Sequence, residues 1–123
     1  MIHKILVVDD EPAIADILER FLRKNGFEVT SAVSGEKAIE MLGGGIEADF
    51  MVLDMKMPKV NGVDVLRELK RLNRKMPFVV LSGSLEMRGY KKELADLGYS
   101  GYEYLMKPID LDELLDVIRK IES

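Results

Sequence analysis

Five short strand-like runs, three of them wholly apolar, recur along the chain, and each is followed by a segment with helical periodicity. The runs are Ile5–Val8 (ILVV), Phe27–Ser31, Phe50–Leu53, Phe78–Leu81 and Tyr102–Met106. A run such as ILVV, dense in β-branched residues and without polar alternation, reads as a strand buried on both faces. After the first run, Ile14, Ile17, Leu18, Phe21 and Leu22 follow the i, i+3, i+4, i+7, i+8 rule for one inward helical face. Pro12 suits the first turn of that helix and Gly26 its C-terminal cap. Ser34 caps a second helix through Leu42, which Gly43-Gly44-Gly45 ends. A third runs from Val63 to about Asn73, with Val65, Leu66, Leu69 and Leu72 inward. A fourth is expected over about Arg88 to Leu97. A fifth starts at Asp110, with Glu113 three residues on as in a capping box, and carries the stripe Leu111, Leu114, Leu115, Ile118 and Ile121. Parallel strands need crossovers, so five strand–helix units predict a doubly wound α/β sheet with helices on both faces. We read residues 1–123 as one domain.

Composition excludes several classes. Hydrophobic residues are 47% of the chain, enough for a buried core, and the net charge is −4. No Lys/Arg cluster is interleaved with aromatics, so direct nucleic-acid binding is not expected. No apolar run approaches the ~20 residues of a membrane span. The chain has no cysteine, and its start, MIHKILVVDD, turns acidic too soon for a signal peptide. A cytoplasmic location is the default expectation.

In such a sheet the C-terminal strand ends share one rim, where ligands bind. Asp9 and Asp10 end the first strand and Asp54 the third; Ser82 follows the fourth, and Lys107 the fifth, just before Pro108. Pro108 after a strand fits a fixed, cis bend. Three carboxylates and one ammonium sum to −2 if all are ionised. Neighbouring like charges raise one another's pKa unless neutralised. An all-oxygen set favours Mg²⁺ or a similar hard ion such as Mn²⁺. A carboxylate beside such an ion can attack phosphorus and form an acyl phosphate, while Lys107 and the Ser82 hydroxyl stabilise the phosphoryl oxygens.

The fragments VVDDEP, LDMKMPKVNG, LSGS and YLMKP, in this order, resemble the receiver domain of bacterial two-component response regulators. The resemblance spans the whole chain and implies a flavodoxin-like (βα)5 fold with strand order 2-1-3-4-5. By position, Asp54 resembles the phosphoacceptor, Asp10 a direct Mg²⁺ ligand, and Asp9 an acid acting largely through water. Lys56 would offer the metal its backbone carbonyl. Ser82 resembles the switch hydroxyl, Lys107 the lysine of the family, and Tyr104 the aromatic switch. Lys56 and Ser84, two residues past the acceptor and the hydroxyl, would tune dephosphorylation. The resemblance implies a histidine kinase or phosphotransfer protein as donor. It also implies a downstream protein or output domain on the face of the fourth helix, fifth strand and fifth helix, and a phosphorylation-dependent homodimer as one form of output.

The chain departs from the family pattern in three ways. Gly83 stands where alanine usually follows the hydroxyl residue. The segment GYSGYEYLMKP is longer than its counterpart, which leaves Tyr104 or Tyr102 as the switch aromatic. The chain stops at Ser123 without an output domain, as a stand-alone receiver or a fragment. Two other classes fit the sequence less well. A phosphatase of the haloacid dehalogenase type needs an aspartate where Lys56 stands, and a dinucleotide binder needs a Gly-rich loop where DDEPAI stands. A receiver-like scaffold that acts without phosphorylation stays open as the alternative.

Overall fold

A computed structural model describes residues 1–123 throughout the backbone, and every side chain except those of Ser84 and Leu85. The element order is β1 (Lys4–Val8), α1 (Pro12–Lys24), β2 (Glu28–Ala32), α2 (Gly35–Gly43), β3 (Phe50–Asp54), α3 (Gly62–Arg71), β4 (Phe78–Ser82), α4 (Ser84–Asp96), β5 (Glu103–Met106) and α5 (Leu111–Glu122). The strands form one parallel sheet in the order β2-β1-β3-β4-β5, the expected flavodoxin-like winding. The order reverses between β1 and β3, so the crevice lies over the ends of those two strands.

Each face of the sheet has its own core. Leu6, Val8, Met51, Leu53 and Val80 pack against Leu42, Leu66, Leu69, Met87 and Leu94 from α2, α3 and α4. Ile5, Val7, Phe50, Val52, Val79 and Leu81 pack against Leu18, Leu22, Leu114 and Ile118 from α1 and α5. Adjacent residues of one strand thus serve opposite cores, which is why the central strands β1, β3 and β4 are apolar without alternation, whereas the edge strand β2 alternates.

Local caps fix where the helices begin. Ser34 Oγ accepts the Lys37 amide at 3.0 Å. Asp110 Oδ1 accepts the amides of Asp112 and Glu113, at 2.9 and 3.3 Å. At α3, Asn61 and Asp64 form a reciprocal capping box, each accepting the other's amide at 3.0 Å. Gly26 ends the first helical unit with φ +93°, a conformation natural to glycine.

Three expectations need correction. Ile17 does not face inward: it is 50% exposed, and Ala15 takes the buried place on α1. The periodicity rule admits a stripe wider than the sheet covers. Helix α4 begins at Ser84, one turn before Arg88. Its start is set by Gly83 in an extended conformation, with the Glu86 side chain accepting the Gly83 amide at 3.3 Å. Strand β5 begins at Glu103 rather than Tyr102. The Tyr102 ring instead stacks on Phe78, with centroids 6.3 Å apart, and Tyr99 meets the same ring edge-on at 5.3 Å.

Candidate functional site

The strand register brings the expected residues to one rim. Asp54 pairs with Leu81 across β3 and β4, and Ser82 with Met106 across β4 and β5. The rim is tied down by backbone bonds: Met55 N–H to Leu81 O at 3.0 Å, Lys107 N–H to Ser82 O at 3.0 Å, and Asp9 N–H to Ala32 O at 3.1 Å. The bond before Pro108 is cis. The loop from β3 to α3 needs two close approaches. A Cβ on Gly35 would overlap the Val60 carbonyl, and one on Gly62 would come within 2.9 Å of Met55 Cα.

Asp9, Asp54 and Ser82 are buried, while Asp10 and Lys107 are half-buried. One carboxylate oxygen from each of Asp9, Asp10 and Asp54 lies within 4.8 Å of the other two. Lys107 Nζ stands 2.8 Å from Asp54 Oδ1. Its approach lies off the direction of a good hydrogen bond, so the contact is a charge pair and both Asp54 oxygens lack a directed donor. Asp9 Oδ1 accepts the Glu11 amide at 2.9 Å, as in a helix-entry cap, and Asp9 Oδ2 has no partner. Among the described residues, the buried side-chain oxygens without a hydrogen bond belong to these two aspartates, with Ser31 Oγ the one exception.

Burial is the leading reason that Asp54 is pushed up to about 6; the Lys107 contact opposes it, and the charges of Asp9 and Asp10 add to it. Asp9 is also raised, first by burial, against the Glu11 amide and Lys107. Like-charge repulsion, expected from the sequence as the main effect, is therefore second to desolvation. Lys107 is raised, its burial outweighed by Asp54 and Asp9.

Unpartnered, buried carboxylate oxygens on an all-oxygen rim are the donor set of a hard divalent cation. They fit Mg²⁺ or Mn²⁺ better than they fit a water-filled turn, because each unsatisfied oxygen is otherwise costly to bury.

Sequence reasoning missed two neighbours. Glu86 Oε2 lies 3.3 Å from Ser82 Oγ, and its Oε1 lies 3.3 Å from Lys56 Nζ. The partly buried Tyr90 phenol sits in the field of Glu86, Lys56 and Asp54, and burial raises its pKa. The Gly83-x-x-Glu86 spacing was the available signal for the first; Tyr90 offered none. Tyr104 lies opposite Val80, two residues short of Ser82, and packs partly buried on the α4 side of the sheet. The side chain of Ser84 lies outside the described residues.

Comparison with known proteins gives this constellation its class. Residues 5–119 match the family described as the response regulator receiver domain. The response regulator SaeR of Staphylococcus aureus is 36% identical over 111 residues, which is 90% of this chain and 46% of SaeR. The chain thus spans about half the length of that relative. A receiver domain protein from Clostridium thermocellum superposes with a TM-score of 0.83 at 32% identity, covering 96% of this chain and 92% of that one. A CheY-like receiver domain protein from Methanospirillum hungatei gives a TM-score of 0.83 at 26% identity, over 98% and 93% of the two chains. The protein belongs to the receiver-domain family of response regulators. No helix among the described residues is long and apolar enough to cross a membrane.

Proposed function

We propose that this receiver domain is a phosphorylation-controlled switch in which Asp54 accepts the phosphoryl group. One observation carries the reading: Asp54 is buried at a strand end, beside Lys107 and two further carboxylates, with oxygens that accept no hydrogen bond among the described residues. Asp9, Asp10 and Asp54, with the Lys56 backbone carbonyl, would hold Mg²⁺ or Mn²⁺. When bound, the ion supplies positive charge that neutralises the acids and polarises phosphoryl oxygens. A histidine kinase or phosphotransfer protein is the donor. An Asp54 oxygen attacks the phosphorus of its phosphohistidine; the P–O bond forms as the P–N bond breaks, and the imidazole nitrogen leaves with the electron pair and takes up a proton. Lys107 holds its ammonium beside the reacting oxygen, and the Ser82 hydroxyl donates to a phosphoryl oxygen.

Output follows from the roughly −2 charge then placed at the rim. As Ser82 moves toward it, space opens beside β5. Tyr104 is favoured over Tyr102 as the ring that responds, because Tyr102 is engaged on Phe78 at the far end of β4. The α4-β5-α5 face then changes, and a downstream protein, an output domain or a second copy of the chain reads it. The module acts in the cytoplasm, as one unit over residues 1–123, and catalyses only its own phosphorylation and dephosphorylation.

Intact-mass measurement after incubation with acetyl phosphate tests this. A single phosphoryl adduct is expected with Mg²⁺, none with chelator, and none on Asp54→Asn. Undiminished labelling of Asp54→Asn contradicts the assignment. No labelling of the wild-type chain, with partner binding intact, would favour the scaffold reading.

A further inference from the structure

The Glu86 carboxylate lies within hydrogen-bond reach of the Ser82 hydroxyl, and the acceptor chemistry described above makes no use of it. Its carboxylate bridges two segments. Oε2 faces Ser82 Oγ at 3.3 Å and the Gly83 amide at 3.3 Å; Oε1 faces Lys56 Nζ at 3.3 Å. These contacts, the Gly83 amide first, hold the Glu86 carboxyl below the ordinary carboxylate range. Among the described residues, Ser82 Oγ also reaches the Gly83 carbonyl at 3.2 Å, which is neutral.

We propose that Glu86 is a positioning residue that competes with the phosphoryl group: in the resting chain its carboxylate holds the Ser82 hydroxyl, the donor that a phosphoryl group on Asp54 would recruit, and pairs more weakly with the Lys56 ammonium. The proposal rests on Asp54 being the acceptor. A dianionic phosphoryl group and the Glu86 carboxylate ask for the same single proton on Ser82. Phosphorylation therefore breaks the Ser82–Glu86 contact and releases one hold on the carboxylate that also caps α4 through the Gly83 amide. The first turn of α4 is in this way linked to the chemistry through a named side chain.

Magnitudes divide the two arms. The Lys56 side chain is 71% exposed, and an exposed pair of this kind contributes little. Ser82 is fully buried, so its arm is the stronger one. At 3.3 Å the bond is nonetheless long for a hydroxyl donating to a carboxylate, which is usually about 2.5–2.7 Å. Glu86 is accordingly a bias and not a lock. Losing one such bond from the resting state should tighten binding of a phosphoryl mimic roughly three- to ten-fold.

Beryllofluoride with Mg²⁺ is the probe, titrated into the wild type, Glu86→Gln and Glu86→Ala and followed by NMR. Glu86→Gln keeps an acceptor for the Gly83 amide but loses the charge. Glu86→Ala should bind roughly three- to ten-fold more tightly than the wild type, and Glu86→Gln, whose neutral oxygen is a weaker acceptor for Ser82, more tightly by a smaller factor. In a Ser82→Ala background the effect of Glu86→Gln should shrink toward none, as a double-mutant cycle detects. Lys56→Ala should reproduce only a minor part of it. Wild-type affinity in both Glu86 variants, with stability lost in Glu86→Ala alone, would reduce Glu86 to a helix cap and overturn the proposal. Weaker binding in the variants, or an undiminished effect without Ser82, would overturn it as well. If the wild-type chain fails to bind beryllofluoride at all, the acceptor reading of Asp54 fails first, and that outcome is distinct from the others.

Discussion

Asp49 and Asp54 bracket the same strand, and their surroundings are opposite. Asp49 stands exposed just before β3, where its Oδ2 accepts the amides of His3 and Lys4 at 2.9 Å each. Those two donors hold its carboxyl below the ordinary range. Asp54 closes β3 from within, 1% exposed, and is pushed up to about 6. The first aspartate ties the start of β1 to the start of β3 and gains from being ionised. The second is kept ionised at neutral pH against its surroundings. One residue type on one strand thus serves structure at one end and chemistry at the other. What separates them is the supply of donors: backbone amides for Asp49, and for Asp54, among the described residues, no directed donor but the charge of Lys107 at 2.8 Å.

The largest expected effect follows from that contrast. A folded pKa near 6 against 3.8 for the free side chain means that the native state binds more protons than the unfolded chain between those values. Stability therefore falls as pH rises through this window and is lowest above it. About two pKa units correspond to about 3 kcal/mol of penalty at pH 7, less whatever Lys107 loses with its partner. In metal-free buffer at pH 7, Asp54→Asn should raise the urea midpoint, and Asp10→Asn should raise it less. The Asp54→Asn gain should vanish near pH 4. Asp49→Ala should lower the midpoint at pH 7; for this group the sign is reversed, its stabilisation being lost as pH falls through its lowered pKa. If Asp54→Asn and Asp10→Asn both lower the midpoint without metal, the two ends of β3 do not differ as described.

Mg²⁺ should narrow the contrast by a slightly smaller amount. An ion that binds only the folded site adds about 2.7 kcal/mol at a hundred times its Kd. Urea melts should show this gain for the wild type and for Asp49→Ala, and a much reduced gain for Asp54→Asn. Equal gains in all three would move the ion away from the rim.

The smallest effect concerns the lifetime of the acyl phosphate. Lys56 is exposed two residues past the acceptor, so Lys56→Ala should change the dephosphorylation rate by a few-fold without preventing phosphorylation. Ser84→Ala is the companion variant. Decay rates equal to wild type in both would remove these residues from the hydrolytic step.

The contrast also bears on what a sequence discloses. The three central strands were legible because burial on both faces leaves little room for polar residues, as ILVV shows; the edge strands β2 and β5, which carry Glu28, Thr30, Ser31 and Glu103, were legible from their place between helical segments. The rim acids were legible because parallel winding sends every strand end to one side. Ile17 misled because the helical rule counts apolar residues and not the width of the sheet beneath them. The start of α4 was hidden because glycine at its N-cap offers no side chain and Gly89 weakens the periodicity. The donors of Asp49 come from His3 and Lys4, more than forty residues away in sequence, so no local pattern could tell it from Asp54. The Gly83-x-x-Glu86 spacing hinted at a helix entry, but the reach of Glu86 to Ser82 and Lys56 was hidden, because spacing does not fix a side-chain direction.

The most direct test of the central claim is a carboxyl-carbon NMR titration of the metal-free chain, with Asp49 and Asp54 followed in the same sample. Asp54 is expected to titrate near pH 6 and Asp49 below the ordinary aspartate range. An Asp54 carboxyl that titrates at or below the value of Asp49 would contradict the claim that burial holds this acid in reserve at the rim.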